Sequence, residues 1–303
     1  MIESLRYGLY RAQGDSATPL RISVVANGLN IIGNAVLIFV FHMGVAGAAI
    51  ATLGSRVFSS VVVLSFLRSP KNKIAVKDYW SIRPDGKQIG MIMKIGIPSG
   101  VENSMFQFGK LAIQSTVSTM GTVAIAAQAM TNILENLNGI AGIGIGIGLM
   151  TVVGECMGAK RKDEAVYYVK KLTLIAEVVV TVCCLGIFLL TKPITILGGM
   201  EPESASLCLY MMGWITVIKP LVWTGAFIPA YGLRAAGDVK FSMIISCLTM
   251  WFCRVSLCIF LSRHFGMGPM AVWIGMFSDW TLRGIFFGAR FHSRKWLEKK
   301  VIQ

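Results

Sequence analysis

The chain is 303 residues long, 54% hydrophobic and only 15% charged, with a mean hydropathy of +0.65. These values lie well to the apolar side of soluble globular proteins and exclude an ordinary water-soluble domain. A net charge of +14 could point to nucleic acid, but the basic residues fall between apolar stretches, on alternate connections, the pattern that orients a membrane protein and not that of a nucleic-acid groove.

A spanning helix needs about 20 mostly apolar residues, and eight segments qualify. The first, about Leu20 to Phe41, carries Asn27, Asn30 and Asn34, three amides on one helix face. The second, about Val45 to Leu67, opens on Gly47, Ala48, Ala49 and Ala51, small enough to admit a neighbouring backbone, and holds Arg56. A polar interval, residues 69–90, follows. The third, about Ile92 to Val117, is interrupted by Pro98, Glu102 and Lys110, and the fourth, about Val123 to Met157, is long enough to tilt or project beyond a bilayer. The fifth, about Ala165 to Leu190, closes at Lys192-Pro193. The sixth, about Leu207 to Leu233, carries Lys219-Pro220 at its middle. The seventh, about Phe241 to Leu261, holds Arg254, and the eighth, about Met270 to Phe291, holds Asp279 and Arg283. The fold class is therefore an all-α polytopic membrane protein. Lys and Arg concentrate on one set of connections and in the tail, so the positive-inside rule predicts a cytoplasmic carboxyl terminus.

The chain also repeats itself. Arg11-Ala12-Gln13-Gly14-Asp15 returns as Arg234-Ala235-Ala236-Gly237-Asp238, a spacing of 223 residues, and each copy is followed by one apolar segment and a matching turn, His42-Met43-Gly44 or His264-Phe265-Gly266. So long a period suits a duplicated membrane bundle, not a solenoid. Between the polar interval and the second copy lie four apolar segments, from about Ile92 to Leu233, whereas only ten residues precede the first copy. The expectation is therefore a chain lacking about four amino-terminal helices, with residues 1–68 ending a first repeat, 69–90 a cytoplasmic linker, and 91–303 a complete six-helix second repeat with a basic tail.

Glu102 is the sharpest chemical candidate, since a carboxyl near mid-membrane must be protonated, paired or wet, and Pro98 removes a helix hydrogen bond one turn earlier. It either binds and releases a coupling cation or pairs structurally with Lys110, Lys219 or Arg254. Lys219, equally costly in mid-span, is its expected counter-ion. Asn103, Gln107, Lys110 and Gln114 form one polar stripe, and Gln128, Asn132 and Glu135, with Asn136 and Asn138 close by, form another. Facing stripes suit a hydrated substrate cavity, with interhelical hydrogen bonding as the alternative. Asp279 and Arg283, four apart, suit a structural pair. Gly142, Gly144, Gly146 and Gly148 alternate without a strand-turn-helix context and point to close helix packing, not a dinucleotide. No Ser/His/Asp set or metal-ligand spacing occurs in the sequence, and the seven cysteines read as small buried hydrophobes.

Several stretches together resemble the multidrug and toxic compound extrusion (MATE) family: R-A-Q-G-D-S-A-T-P-L, G-V-A-G-A-A-I-A-T, I-P-S-G-V-E-N-S-M-F-Q-F-G-K and W-I-G-M-F-S-D-W-T-L-R-G-I-F-F-G-A-R-F. The resemblance implies twelve helices in two six-helix lobes, of which this chain holds helices five to twelve. It also implies a monomeric, multi-pass transporter of the cell membrane, not an enzyme, that exports organic, cationic, drug-like compounds in exchange for sodium ions or protons, without a cofactor. One family branch places its cation-binding acid in the first helix, outside this chain. Another uses a glutamate in helix seven about one turn beyond Glu102, with an aspartate in helix ten where Lys219 stands here. A flippase for a lipid-linked polar molecule, calling for arginines and lysines in the cavity, and an inactive fragment are the alternatives.

Overall fold

A computed structural model of the protein describes residues 17–67 and 85–298, and within them the backbone is helical, with no strand. The chain divides into two compact units, Met1–Asp85 and Gly86–Gln303. The first R-A-x-G-D copy, Arg11 to Asp15, most of the linker, and Lys299 and Lys300 of the basic tail lie outside the described residues.

In the first unit, helix α1 runs Ala17–Val40 and helix α2 Gly44–Leu67. The amide face of α1 ties them together: Asn30 Nδ2 donates to Thr52 Oγ1 and to Ser55 Oγ, each at 3.3 Å, and Asn34 Nδ2 donates to Asn30 Oδ1 at 3.1 Å. Asn27, on the same face, is exposed. In an apolar surround each such contact contributes about 0.6–2 kcal/mol. Gly44, at φ 53°, turns the chain between the helices, and its counterpart Gly266, at φ 59°, ends the matching turn in the second unit. Both turns thus place glycine where an L side chain would be strained.

The second unit holds six long helices: α3 Gly86–Ser118, α4 Thr122–Gly158, α5 Lys162–Leu197, α6 Pro202–Ala235, α7 Val239–Phe265 and α8 Met270–His292. Their main core joins α4, α5, α6 and α8 through Leu134, Val153, Val169, Val180, Met211, Ile215, Trp273 and Phe287. A smaller core joins α3, α7 and the start of α8 through Ile113, Val117, Met250, Val255, Cys258 and Val272. The helices outrun the apolar segments that announced them. Lys192-Pro193 does not close α5, which continues to Leu197 with Pro193 inside it, and Pro98 lies within an unbroken α3. A proline costs one backbone bond, which the packing of a long helix absorbs. Within α7, Thr249–Val255 is a π-helical stretch that re-aims the side chains after it.

Eight spans were expected. Among the described residues there are eight long helical segments, of which six are long and apolar enough to cross a membrane: α1, α2, α4, α5, α6 and α7. The other two, α3 and α8, are long enough but carry charges of the site below: Glu102 and Lys110 on α3, Asp279 and Arg283 on α8.

The glycine run divides by facing. A side chain at Gly142 would strike Trp223 at 2.7 Å and Val180 at 2.9 Å, and one at Gly146 would strike Tyr231 at 2.5 Å, whereas Gly144 and Gly148 face open space. One G-x-x-x-G pair therefore seats α4 against the aromatic face of α6.

Candidate functional site

That face of α6 consists of Lys219, Trp223, Phe227 and Tyr231, each four residues after the last, so all four project on one side. They wall a cavity of about 380 Å³, a volume in the range of small-molecule sites. Gln128, Asn132 and Glu135 enter it from α4, Phe106, Lys110 and Gln114 from α3, Arg254 from α7, and Met276 and Trp280 from α8. A second cavity of about 160 Å³ shares Phe106, Phe227 and Tyr231 with the first and adds Glu102, Asn103, Arg234 and Arg283.

Lys219 has no exposed surface. Its three ammonium hydrogens have three acceptors: Glu135 Oε1 at 2.5 Å, the Glu135 carbonyl at 2.8 Å and Asn138 Oδ1 at 2.5 Å. The ammonium also lies 5.2 Å from the ring centre of Trp223 and 6.0 Å from that of Trp280. A buried charge persists only when paired and hydrogen-bonded, and Lys219 meets both conditions within one turn of α4.

Glu102 has another partner. Arg234 donates from Nη2 to Glu102 Oε1 at 2.5 Å and from Nε to Ser242 Oγ at 2.9 Å. The expected Glu102–Lys219 pair is therefore not formed. Lys219 lies fifteen residues before Arg234 on α6, about 22 Å along the helix axis, beyond the reach of a carboxylate that touches Arg234. The second R-A-x-G-D copy thereby acquires a structural meaning. Arg234 closes α6 onto α3, Gly237 turns the chain at φ 89°, and Asp238 accepts a hydrogen bond from Arg290 Nε of α8 at 2.7 Å.

On α8, Arg283 Nη2 donates to both carboxylate oxygens of Asp279, at 2.9 and 3.2 Å, and the guanidinium lies 5.1 Å from the ring centre of Phe227. Of the residues assigned to the cavity from the sequence, Lys110, Gln128, Asn132 and Glu135 line the larger one. Asn138 is buried behind Glu135 as an acceptor for Lys219. Asn103 falls in the smaller cavity beside Glu102, and Gln107, which lines neither cavity, is exposed in a shallow groove with Asn103, Ser104, Phe108 and Leu111. The stripe on α3 is too broad for one cavity to collect all of it. Arg234 and the α6 aromatics were missed as site residues, although the four-residue spacing from Lys219 to Tyr231 was there to be read.

The MatE family model matches residues 98–260, more than half of the chain. The chain belongs to the MatE family. It is thus a member of a transporter family and not of an enzyme family. Among its relatives, the probable multidrug resistance protein NorM of Thermotoga maritima is 26% identical over 306 residues, which cover 97% of this chain and 64% of that protein. The uncharacterized transporter YisQ of Bacillus subtilis is 24% identical over 296 residues, 96% of this chain and 64% of that protein. The chain thus spans just under two thirds of the length of these curated relatives. A solved structure of a multidrug resistance MATE family transporter of the MOP superfamily, in an outward-facing conformation, superposes with a TM-score of 0.86 over 98% of this chain and 67% of that one, at 18% identity. The fold is the MATE fold.

Proposed function

We propose that this protein is a secondary active transporter of the cell membrane, monomeric and with a cytoplasmic carboxyl terminus, that exports organic compounds in exchange for sodium ions or protons. The observation that carries the reading is the larger cavity: a ligand-sized space among membrane-length helices, with aromatic walls and paired charges at its edge. The multidrug resistance named for the NorM relative supports drug-like cargo. The cation excess of the same cavity, with Lys110, Lys219 and Arg254 against Glu135, favours a second reading, a flippase for a lipid-linked polar molecule.

Full-length protein reconstituted in liposomes tests the first reading. An imposed proton or sodium gradient is expected to accelerate efflux of a trapped fluorescent organic compound, and dissipating the gradient to abolish the acceleration. Efflux indifferent to both gradients would overturn it.

In this reading Glu102 receives the coupling cation, because its partner is the most accessible of the cations paired beside the two cavities. The Arg234 side chain is 31% exposed, against 0% for Lys219 and 4% for Arg283. Lys219, with every donor engaged, holds Glu135 in place at the cavity edge instead of exchanging.

A further inference from the structure

Resting on the transporter reading, we infer that the larger cavity selects compounds bearing an oxyanion, a carboxylate, sulfonate or phosphate, on an apolar body. The acids near the two cavities already hold cations: Glu135 holds Lys219, Glu102 holds Arg234 and Asp279 holds Arg283. Among the described residues, Lys110 and Arg254 are the cavity cations left without such a carboxylate. Both sit by one ring, the Lys110 ammonium 5.0 Å and the Arg254 guanidinium 5.5 Å from the centre of Phe106. Arg254 is 7% exposed and its Nε is buried with no hydrogen-bond partner. An unpaired buried guanidinium is costly, and the π-helical stretch that carries it into the cavity wall is clamped. A side chain at Gly275 of α8 would come within 2.7 Å of the Arg254 carbonyl.

A hydrogen-bond relay points the same way. Buried Trp273 donates from Nε1 to Gln128 Oε1 at 3.0 Å, and Gln128 donates from Nε2 to Asn132 Oδ1 at 3.3 Å. With its oxygen engaged, Asn132 keeps its amide donors for a ligand in the cavity it lines. The cavity therefore presents two unpaired cations and a donor amide, which complement an acceptor group, while Trp223, Phe227 and Trp280 face the apolar body. The cationic cargo expected from the family resemblance would meet this cation excess and a single carboxylate, Glu135, already paired with Lys219.

The test is binding of 1-naphthoate and 1-naphthylmethylammonium, one ring system carrying opposite charges, to the full-length protein in nanodiscs of zwitterionic lipid, read by tryptophan fluorescence. Naphthoate is expected to bind about 10-fold more tightly or better. Arg254→Gln and Lys110→Gln are each expected to weaken naphthoate about 5- to 10-fold without weakening the ammonium, with Arg254→Lys restoring most of the loss. Should Arg254→Gln fail to fold, Lys110→Gln, on an exposed side chain, carries the same expectation. Competition by dihexanoyl phosphatidate supports the site with a lipid headgroup as the source of the anion; naphthoate binding that phosphatidate leaves untouched supports it with a soluble one. Equal or tighter binding of the ammonium, or naphthoate binding unchanged in both neutral variants, overturns it. Those results leave gradient-driven efflux intact, whereas efflux without gradient dependence removes the transport reading and leaves the charge preference standing.

Discussion

Replacing Lys219 by methionine is expected to destabilise the protein by about 3–5 kcal/mol, the cost of leaving one half of a buried ion pair behind. The size follows from what the ammonium satisfies. It is the hydrogen-bond partner of Glu135 Oε1, of the Glu135 carbonyl and of Asn138 Oδ1, and the Glu135 side chain is only 13% exposed. Asn138 Nδ2 is already buried without a partner, so losing Lys219 leaves that amide with none on either end. Removing both charges, in Lys219→Met with Glu135→Met, is expected to recover about 0.5–3 kcal/mol relative to the sum of the single changes. Thermal unfolding of the purified variants in one detergent measures this. A Lys219→Met variant that melts with the wild type would show that the pair contributes nothing.

Glu102→Gln is expected to act on coupling, with little effect on stability. Glutamine keeps the size and one acceptor oxygen for Arg234 but holds the position permanently neutral, as a bound proton would. The gradient-dependent part of efflux is expected to fall about 10- to 100-fold, a loss of about 1.4–2.7 kcal/mol of coupling free energy, while binding in the larger cavity persists. The pair is poised for this because Arg234 has a second anchor, Ser242 Oγ, to hold it when a cation takes the carboxylate. Efflux with full gradient dependence in Glu102→Gln would return Glu102 to a purely structural role.

The sequence discloses the helices because uninterrupted apolar stretches of spanning length belong in a bilayer. Helix ends were less legible. α3 begins at Gly86 and α5 ends at Leu197 because a helix continues through polar residues and a proline once packing holds it. Lys219, Glu102 and Glu135 were recognisable as charges out of place, but their pairing was not. The partners are 84 and 132 residues apart in the chain, and only the packing of α4 on α6 and of α3 on α7 decides which carboxylate meets which cation. Periodicity likewise put Gln107 on a stripe with Lys110 without showing which edge of the stripe faces α4. The same holds for the glycines, where only the neighbours Trp223 and Tyr231 separate Gly142 and Gly146 from Gly144 and Gly148.

The account depends on the larger cavity being the path of the transported compound, and accessibility of Asn132 tests that most directly. With the seven native cysteines replaced, full-length protein carrying Asn132→Cys would be reconstituted in liposomes and exposed to a charged, membrane-impermeant thiol reagent on one side. The predicted result is labelling slowed by transported compound and switched between the two faces when the ion gradient is reversed. Labelling at one unchanging rate, whatever the gradient and whether or not compound is present, would contradict it.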